Sequence, residues 1–430
     1  PAGPLCEAMG DSRNSQWDKH EDLPFLPTCE PLPVLPFRRN RKVIPCSHRH
    51  QSYEAGVKFE SHHLAYCTNI HPAESWDETF HVLKTDVLAV RDRVASSKKF
   101  AIGLRLSAQA ALELLEDDHL DQFESWLAQE NCYVFTINGF PYGAFHGTRV
   151  KENVYKPDWT HMSRLVYTEQ LFTIISRLCP AESGGSVSTL PGSFKEFGAD
   201  ENLIFANLYS CALTVETLAK ETGKDLHLGL EPEPLGHFEN TEETIAFFER
   251  FFAWCDIEEL DSNPIKKHIG INYDTCHFAL EFDDCHQSLK ALTEAGLRIS
   301  KIHLSNALSF DPQNPEALEA IRPFDEPTYL HQVILNSDPL TRFKDLPEFR
   351  EATTATEGRI HFHVPLYSEP LSPLASTLDH AEAALTYLKE HPKTCPHLEI
   401  ETYTWGVLPD QLQKPLTDQI SAEYDWVLSR

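Results

Sequence analysis

The sequence predicts an α/β protein folded as a (β/α)8 TIM barrel, with an extended N-terminal arm and a long insertion after the seventh strand. Short apolar runs rich in β-branched and aromatic residues begin near residue 59 and alternate with longer stretches of helical period, the signature of repeated βα units around a parallel sheet. Eight such runs occur, the number that closes a barrel. No Gly-x-Gly-x-x-Gly turn follows the first run, so an open dinucleotide-binding sheet loses its main support.

Taken in order, residues 1–58 are rich in proline and charge, as in Pro24-Phe25-Leu26-Pro27 and Pro31-Leu32-Pro33, with basic Arg38-Arg39-Asn40-Arg41-Lys42 following. They read as an arm or linker. The barrel is expected over 59–430, with strands at 63–69, 101–107, 133–138, 185–190, 226–231, 268–274, 299–304 and 398–402. Helices are expected at 75–95, 108–129, 160–178, 201–222, 241–254, 285–295 and 377–390. Ser75 followed by Glu78 makes a capping box, and Thr241 opens its helix with Glu242 and Glu243 in the first turn. The seventh connection, 305–376, is too long for an ordinary loop and carries one strand-like run, Arg359-Ile360-His361-Phe362-His363-Val364-Pro365. Insertions of this kind sit on the C-terminal rim as lids or substrate walls.

A net charge of −28 and a pI near 5.1 repel phosphate backbones and anionic lipid, which argues against nucleic acid as a partner. With 41% hydrophobic and 24% charged residues the chain can bury a large core without cross-links. The 11 cysteines are scattered, odd in number and lack a Cys-x-x-Cys pair, which reads as reduced thiols in a cytosol-like compartment. A cytoplasmic location is expected, or an organellar one where a targeting peptide preceded Pro1. No window approaches the roughly 20 apolar residues that span a bilayer, so the chain is not expected to be membrane-embedded.

In a barrel the residues that meet a ligand come from the C-terminal ends of strands. Here those ends read Leu228-Gly229-Leu230-Glu231-Pro232-Glu233, Asn272-Tyr273-Asp274-Thr275-Cys276-His277, Lys301-Ile302-His303-Leu304-Ser305 and Glu399-Ile400-Glu401-Thr402-Tyr403-Thr404-Trp405. Strand alternation puts Leu228 and Leu230, Tyr273, Ile302 and Leu304, and Leu398 and Ile400 on one face. Glu231, Asp274, His303, Glu399 and Glu401 fall on the other, toward the barrel interior. Carboxylates meeting in a low-dielectric interior must be protonated, paired or bound to a cation. One divalent metal resolves the conflict, and carboxylates with an imidazole suit Mn²⁺, Mg²⁺, Co²⁺ or Zn²⁺. The other reading is a structural ion pair of these acids with Lys301 or Arg105. His361 and His363 alternate on their run and serve either pocket or packing. Asn138 and His146 lie on or after the third strand in a glycine- and proline-shaped loop where a polar substrate could rest.

Together Glu231, Asp274 with His277 three residues on, His303 and Glu401 resemble the metal-site pattern of the xylose-isomerase-like superfamily of sugar isomerases, ketose epimerases and sugar-phosphate isomerases. Within it the chain is most similar to the metabolite-traffic protein EboE family. The matching stretches run from His63 to Pro72, Asn138 to Gly143 with His146 to Lys151, Tyr273 to His277, and Glu399 to Trp405. The resemblance implies Glu231, Asp274, His303 and Glu401 as metal ligands. It implies Glu231 and Glu401 as the groups that remove and return a proton through an enediolate, with His277 touching a substrate oxygen. Asn138, His146, Glu233, Glu399, His363 and Trp405 are the expected substrate contacts. The implied protein is a divalent-metal-dependent isomerase or epimerase for a small polyhydroxylated, sugar-like metabolite in secondary-metabolite maturation or traffic. A membrane-associated pathway partner and an oligomeric state stay open. Two other functions compete: a metal-assisted carrier that hands a metabolite on without turnover, and a phosphodiester hydrolase of the endonuclease branch, against which the charge speaks.

Overall fold

A computed structural model describes residues 56–95, 98–144, 150–350, 354–368, 370, 372–404 and 414–430. The proline-rich arm expected over 1–58 lies almost wholly outside the described residues. Eight parallel strands form the barrel: β1 (His62–Tyr66), β2 (Phe100–Arg105), β3 (Cys132–Asn138), β4 (Gly185–Thr189), β5 (Leu226–Leu230), β6 (Ile269–Asp274), β7 (Ile299–Leu304) and β8 (His397–Ile400). They pair in the order β1-β8-β7-β6-β5-β4-β3-β2, and a parallel bridge between Cys67 and Gly103 joins the two ends of the row. Each strand is fully buried, as a ring covered by helices outside and filled by its own side chains within requires.

Two register shifts tune what points inward. Ile271 pairs with Ile299 but Asn272 with Lys301, so Ser300 is an extra residue on β7. Both Ser300 and Lys301 then reach partners inside the ring: Ser300 Oγ lies 2.6 Å from His227 Nδ1, and Lys301 Nζ donates to Ser188 Oγ at 3.0 Å. A second shift in the pairing of β2 with β3 makes Phe135 the extra residue there, and it packs with Ala65, Ala101 and Tyr133 at the base of the interior.

The helices follow from local chemistry, with corrections. Ser75 and Glu78 make the expected capping box, and the helix they start continues through one π turn, Leu83–Val87, to Val94. The single helix expected over 108–129 is two, Ala108–Leu115 and His119–Gln129. Glu116, Asp117 and Asp118 sit at the negative end of the first helix, and Asp117 takes a left-handed conformation (φ 47°), which stops it. The cap of Thr241–Ile257 is Asn240, whose side chain accepts from Glu243 N, not Thr241. Helices Asn263–His268, Thr275–Leu280, Pro315–Ile321 and Leu416–Leu428 were not foreseen from sequence.

The insertion builds a five-stranded antiparallel sheet from Thr341–Phe343, Val333–Leu335, Gly358–Ile360, Leu308–Phe310 and Ala375–Ser376, in that order. Of the strand-like run at 359–365, only the first two residues pair in this sheet. The rest leaves it, pinned where His361 N donates to Gln332 O at 2.9 Å and Val364 N to Asn306 O at 2.9 Å. That departure carries His361 and His363 to the ends of β6–β8. Among the described residues no helix is long and apolar enough to cross a membrane.

Candidate metal centre

The C-terminal ends of β5 to β8 converge on one buried cluster. Glu231 directly follows β5, Asp274 closes β6, and His303 lies on β7; all three are buried, and one ligand atom from each falls within 4.8 Å of the others. His303 Nδ1 stands 3.1 Å from Glu231 Oε1 and 3.6 Å from Asp274 Oδ2. Its other nitrogen, Nε2, meets Glu399 Oε2 at 2.9 Å, and that oxygen also takes a bond from Lys301 Nζ at 2.5 Å. The relay Lys301–Glu399–His303 therefore fixes the ring and aims Nδ1 at the acids, as an outer carboxylate does for a metal-bound imidazole. Burial raises the Glu399 carboxyl, but Lys301 and His303 prevail and bring it down to about 2. Burial and Lys301 pull His303 down, but Glu231 and Asp274 outweigh them and hold it well above its usual range.

Asp274 does two jobs with its two oxygens. Oδ1 caps the helix Thr275–Leu280, accepting from Cys276 N at 2.7 Å and His277 N at 3.2 Å, and also from Ser305 Oγ at 2.5 Å. Oδ2 is buried and has no hydrogen-bond partner among the described residues. Burial opposes its charge, yet the imidazoles of His277, His303 and His363 hold the carboxyl far below the usual carboxylate range. A buried carboxylate oxygen without a hydrogen-bond donor, beside a second carboxylate and an oriented imidazole, fits a divalent cation. The ion-pair alternative is not how these two acids are held, since Lys301 serves Glu399 and Arg105 serves Glu74 with the carbonyls of Ala73 and Gly143.

Glu401 follows β8 but is engaged from two sides, by Asn69 Nδ2 on Oε1 at 2.8 Å and by His363 Nδ1, 3.1 Å from Oε2. It lies outside the Glu231–Asp274–His303 triplet, while His363 forms a neighbouring group with Asp274 and His277. A cavity opens at these strand ends, walled by Glu231, Glu401, Glu233, His277, Asn138 and Tyr403 among others. Asn138 is set by its own turn, its Oδ1 accepting from Phe140 N at 3.1 Å. Glu399 lies beneath the cavity and is not part of its wall. His146 and Trp405 lie outside the described residues. Asn69, Gln332, Tyr155 and Tyr329 line the same cavity without having been foreseen. Asn69 ends an apolar run, a visible signal, whereas nothing in the local sequence marks Gln332 or Tyr329.

The closed parallel ring with acids and imidazole at its C-terminal mouth defines the class: this chain has the xylose-isomerase-like TIM-barrel fold. It is similar to a xylose isomerase-like TIM barrel protein from Mycobacterium smegmatis solved in complex with magnesium, at 11% identity over 87% of this chain and 97% of that one, with a TM-score of 0.50. Lesser similarity is found to the IolI protein with a bound zinc atom (13% identity, 85% and 98% covered, TM-score 0.45). The same holds for the probable 3-DHS dehydratase AsbF of petrobactin synthesis from Bacillus anthracis (13%, 85% and 98%, 0.44). No family model and no curated protein matches the sequence.

Proposed function

We propose that this chain is a divalent-metal-dependent isomerase or epimerase acting on a small polyhydroxylated, sugar-like metabolite by proton transfer next to a carbonyl. The observation that carries this reading is the buried Asp274 Oδ2, without a hydrogen-bond partner and 3.6 Å from His303 Nδ1, beside Glu231 at a cavity whose wall holds two further carboxylates. Glu231, Asp274 and His303 would hold the ion, with Glu401 completing the set after a small movement. When bound, such an ion supplies Lewis acidity toward neighbouring carbonyl and hydroxyl oxygens. The like-folded mycobacterial protein solved with magnesium supports the choice of a divalent cation.

The chain's own residues supply the rest. Glu231 and Glu401 reach the cavity from β5 and β8, so a substrate carbon between them can lose a proton to one carboxylate and regain it from the other. Asn69 and His363 hold the Glu401 carboxylate in place, which keeps it aimed rather than free to rotate. The acidic mouth suits a neutral polyol and disfavours a phosphodiester.

The test is hydrogen exchange. Candidate aldoses and ketoses are incubated with the metal-loaded chain in D2O and followed by NMR. Deuterium is expected at one carbon-bound position, with loss of at least about 100-fold in rate for Glu231→Gln, the scale of a lost acid–base group. Metal-dependent binding of the same sugars with no exchange at any carbon would overturn the catalytic reading in favour of a carrier.

A further inference from the structure

A second triplet, sharing no residue with the first, stands at the cavity wall: Glu233, His277 and His361 are buried and offer ligand atoms within 4.8 Å of one another. The two imidazoles face each other through Nε2, 3.1 Å apart. Their other nitrogens settle what lies on those Nε2 atoms. His277 Nδ1 is 3.1 Å from the carbonyl of Pro232, which can only accept, so Nδ1 carries the hydrogen. His361 Nδ1 is 2.7 Å from Gln332 Oε1, and the Gln332 amide is oriented by its Nε2, which donates to Pro234 O at 3.1 Å. Oε1 is thus the acceptor, and His361 Nδ1 carries the hydrogen as well. With both Nδ1–H groups donating away from the pair, the facing Nε2 atoms meet with a shared proton or a cation between them. Glu233 Oε1, buried and without a hydrogen-bond partner, completes the set.

We infer that Glu233, His277 and His361 form a second divalent-cation site, adjoining the Glu231–Asp274–His303 centre and of the two-histidine, one-carboxylate type that takes Zn²⁺ or Co²⁺. Each imidazole is braced through Nδ1 by a carbonyl oxygen, one from the backbone and one from an amide, which is how ligating histidines are held. Pro232 and Pro234 leave Glu231 and Glu233 on one stiff segment, so a single stretch of chain feeds one carboxylate to each site. Because all three residues line the cavity, an open coordination position would face it, as in catalytic rather than structural zinc sites. The site joins the barrel to the insertion, since Glu233 and His277 follow β5 and β6 while His361 follows the inserted strand Gly358–Ile360. In this reading His277 holds an ion instead of touching substrate directly.

The full chain is stripped with a chelator and titrated with Zn²⁺ alone, counting bound metal by mass spectrometry after gel filtration. Two equivalents are expected in the parent and one each in His361→Asn, Glu233→Gln and Asp274→Asn. Gln332→Ala, which frees His361 but removes no ligand, should weaken one of the two ions roughly 10- to 100-fold. Circular dichroism confirms that each variant is folded, and the isosteric Glu233→Gln guards against a packing defect in His361→Asn. One equivalent in the parent, kept by His361→Asn and Glu233→Gln but lost by Asp274→Asn, overturns this inference and leaves the proposed function standing. One equivalent lost by His361→Asn and kept by Asp274→Asn does the reverse. No bound zinc in the parent overturns both.

Discussion

Removing the lysine from a buried carboxylate is the sharpest single-residue test of how this interior is held. Lys301 and Glu399 are both fully buried and paired, so Lys301→Met leaves the Glu399 charge with His303 as its remaining partner and is expected to cost about 3 kcal/mol by urea denaturation. The double variant Lys301→Met with Glu399→Gln should recover much of that, because the under-compensated charge is then gone. A single variant as stable as the parent would mean that the pair does not hold Glu399. The strand beside Glu399 has no room to spare: a Cβ on Gly103 would stand 2.5 Å from the Tyr66 carbonyl oxygen as well as 2.1 Å from Glu399 Oε1, so that position on β2 must be glycine. Strand parity made Glu399 and Glu401 legible as inward residues, but parity is blind to depth. Parity set Lys301 inward as well, on the face of His303, but which acid it meets is a matter of depth, and the bulge at Ser300 adds an inward residue that no sequence period announces.

Among the elements, the C-terminal helix Leu416–Leu428 ties the rim together through one acid. Glu423 Oε1 accepts from Thr402 Oγ1 at 2.8 Å, just past β8, and from Leu366 N at 3.1 Å in the insertion. Burial pushes its carboxyl up to about 7. A folded value above the unfolded one of 4.5 means the fold favours the protonated form. The stabilising contribution is complete below pH 4.5 and is lost as pH rises through 7, worth about 3 kcal/mol over that window. Glu281, raised to about 7 by burial and by Glu239, titrates in the same range, so the parent must be compared with Glu423→Gln, which cannot ionise. Between pH 5 and pH 8 the parent should lose more stability in urea than the variant; parallel pH profiles would exclude Glu423 as a titrating group. This helix hid from the sequence because buried Gln419 and Glu423 interrupt its apolar stripe. The His361-x-His363 alternation was visible, but its strand ends at Ile360, and the turn of both imidazoles toward the barrel rests on hydrogen bonds to Gln332 and Asn306 far away in sequence. The helices outside the barrel were more legible, since caps and apolar period are local; Glu201–Thr222 falls where its period places it.

At the scale of the whole molecule, acids gather at the barrel mouth in a chain that already carries a net charge of −28. The ring gathers them by topology alone, for adjacent parallel strands deliver their C-terminal ends to one place. Folding therefore works against this repulsion, and an ion that binds only the folded state offsets it by mass action, about 2.7 kcal/mol at a free concentration 100 times its dissociation constant. For a chain of this size that is a rise of a few degrees in the unfolding midpoint. Screening of the overall negative charge raises the midpoint as well, and the two effects separate by design. Sodium chloride matched in ionic strength should shift the parent and Asp274→Asn alike, because it acts on the whole surface. The further increment given by micromolar Mn²⁺ or Zn²⁺ should be large in the parent and reduced in Asp274→Asn, because it requires the unpartnered Oδ2. Equal divalent increments in the two proteins would place the ion away from Asp274, and no increment in the parent would mean that the mouth tolerates its carboxylates by itself.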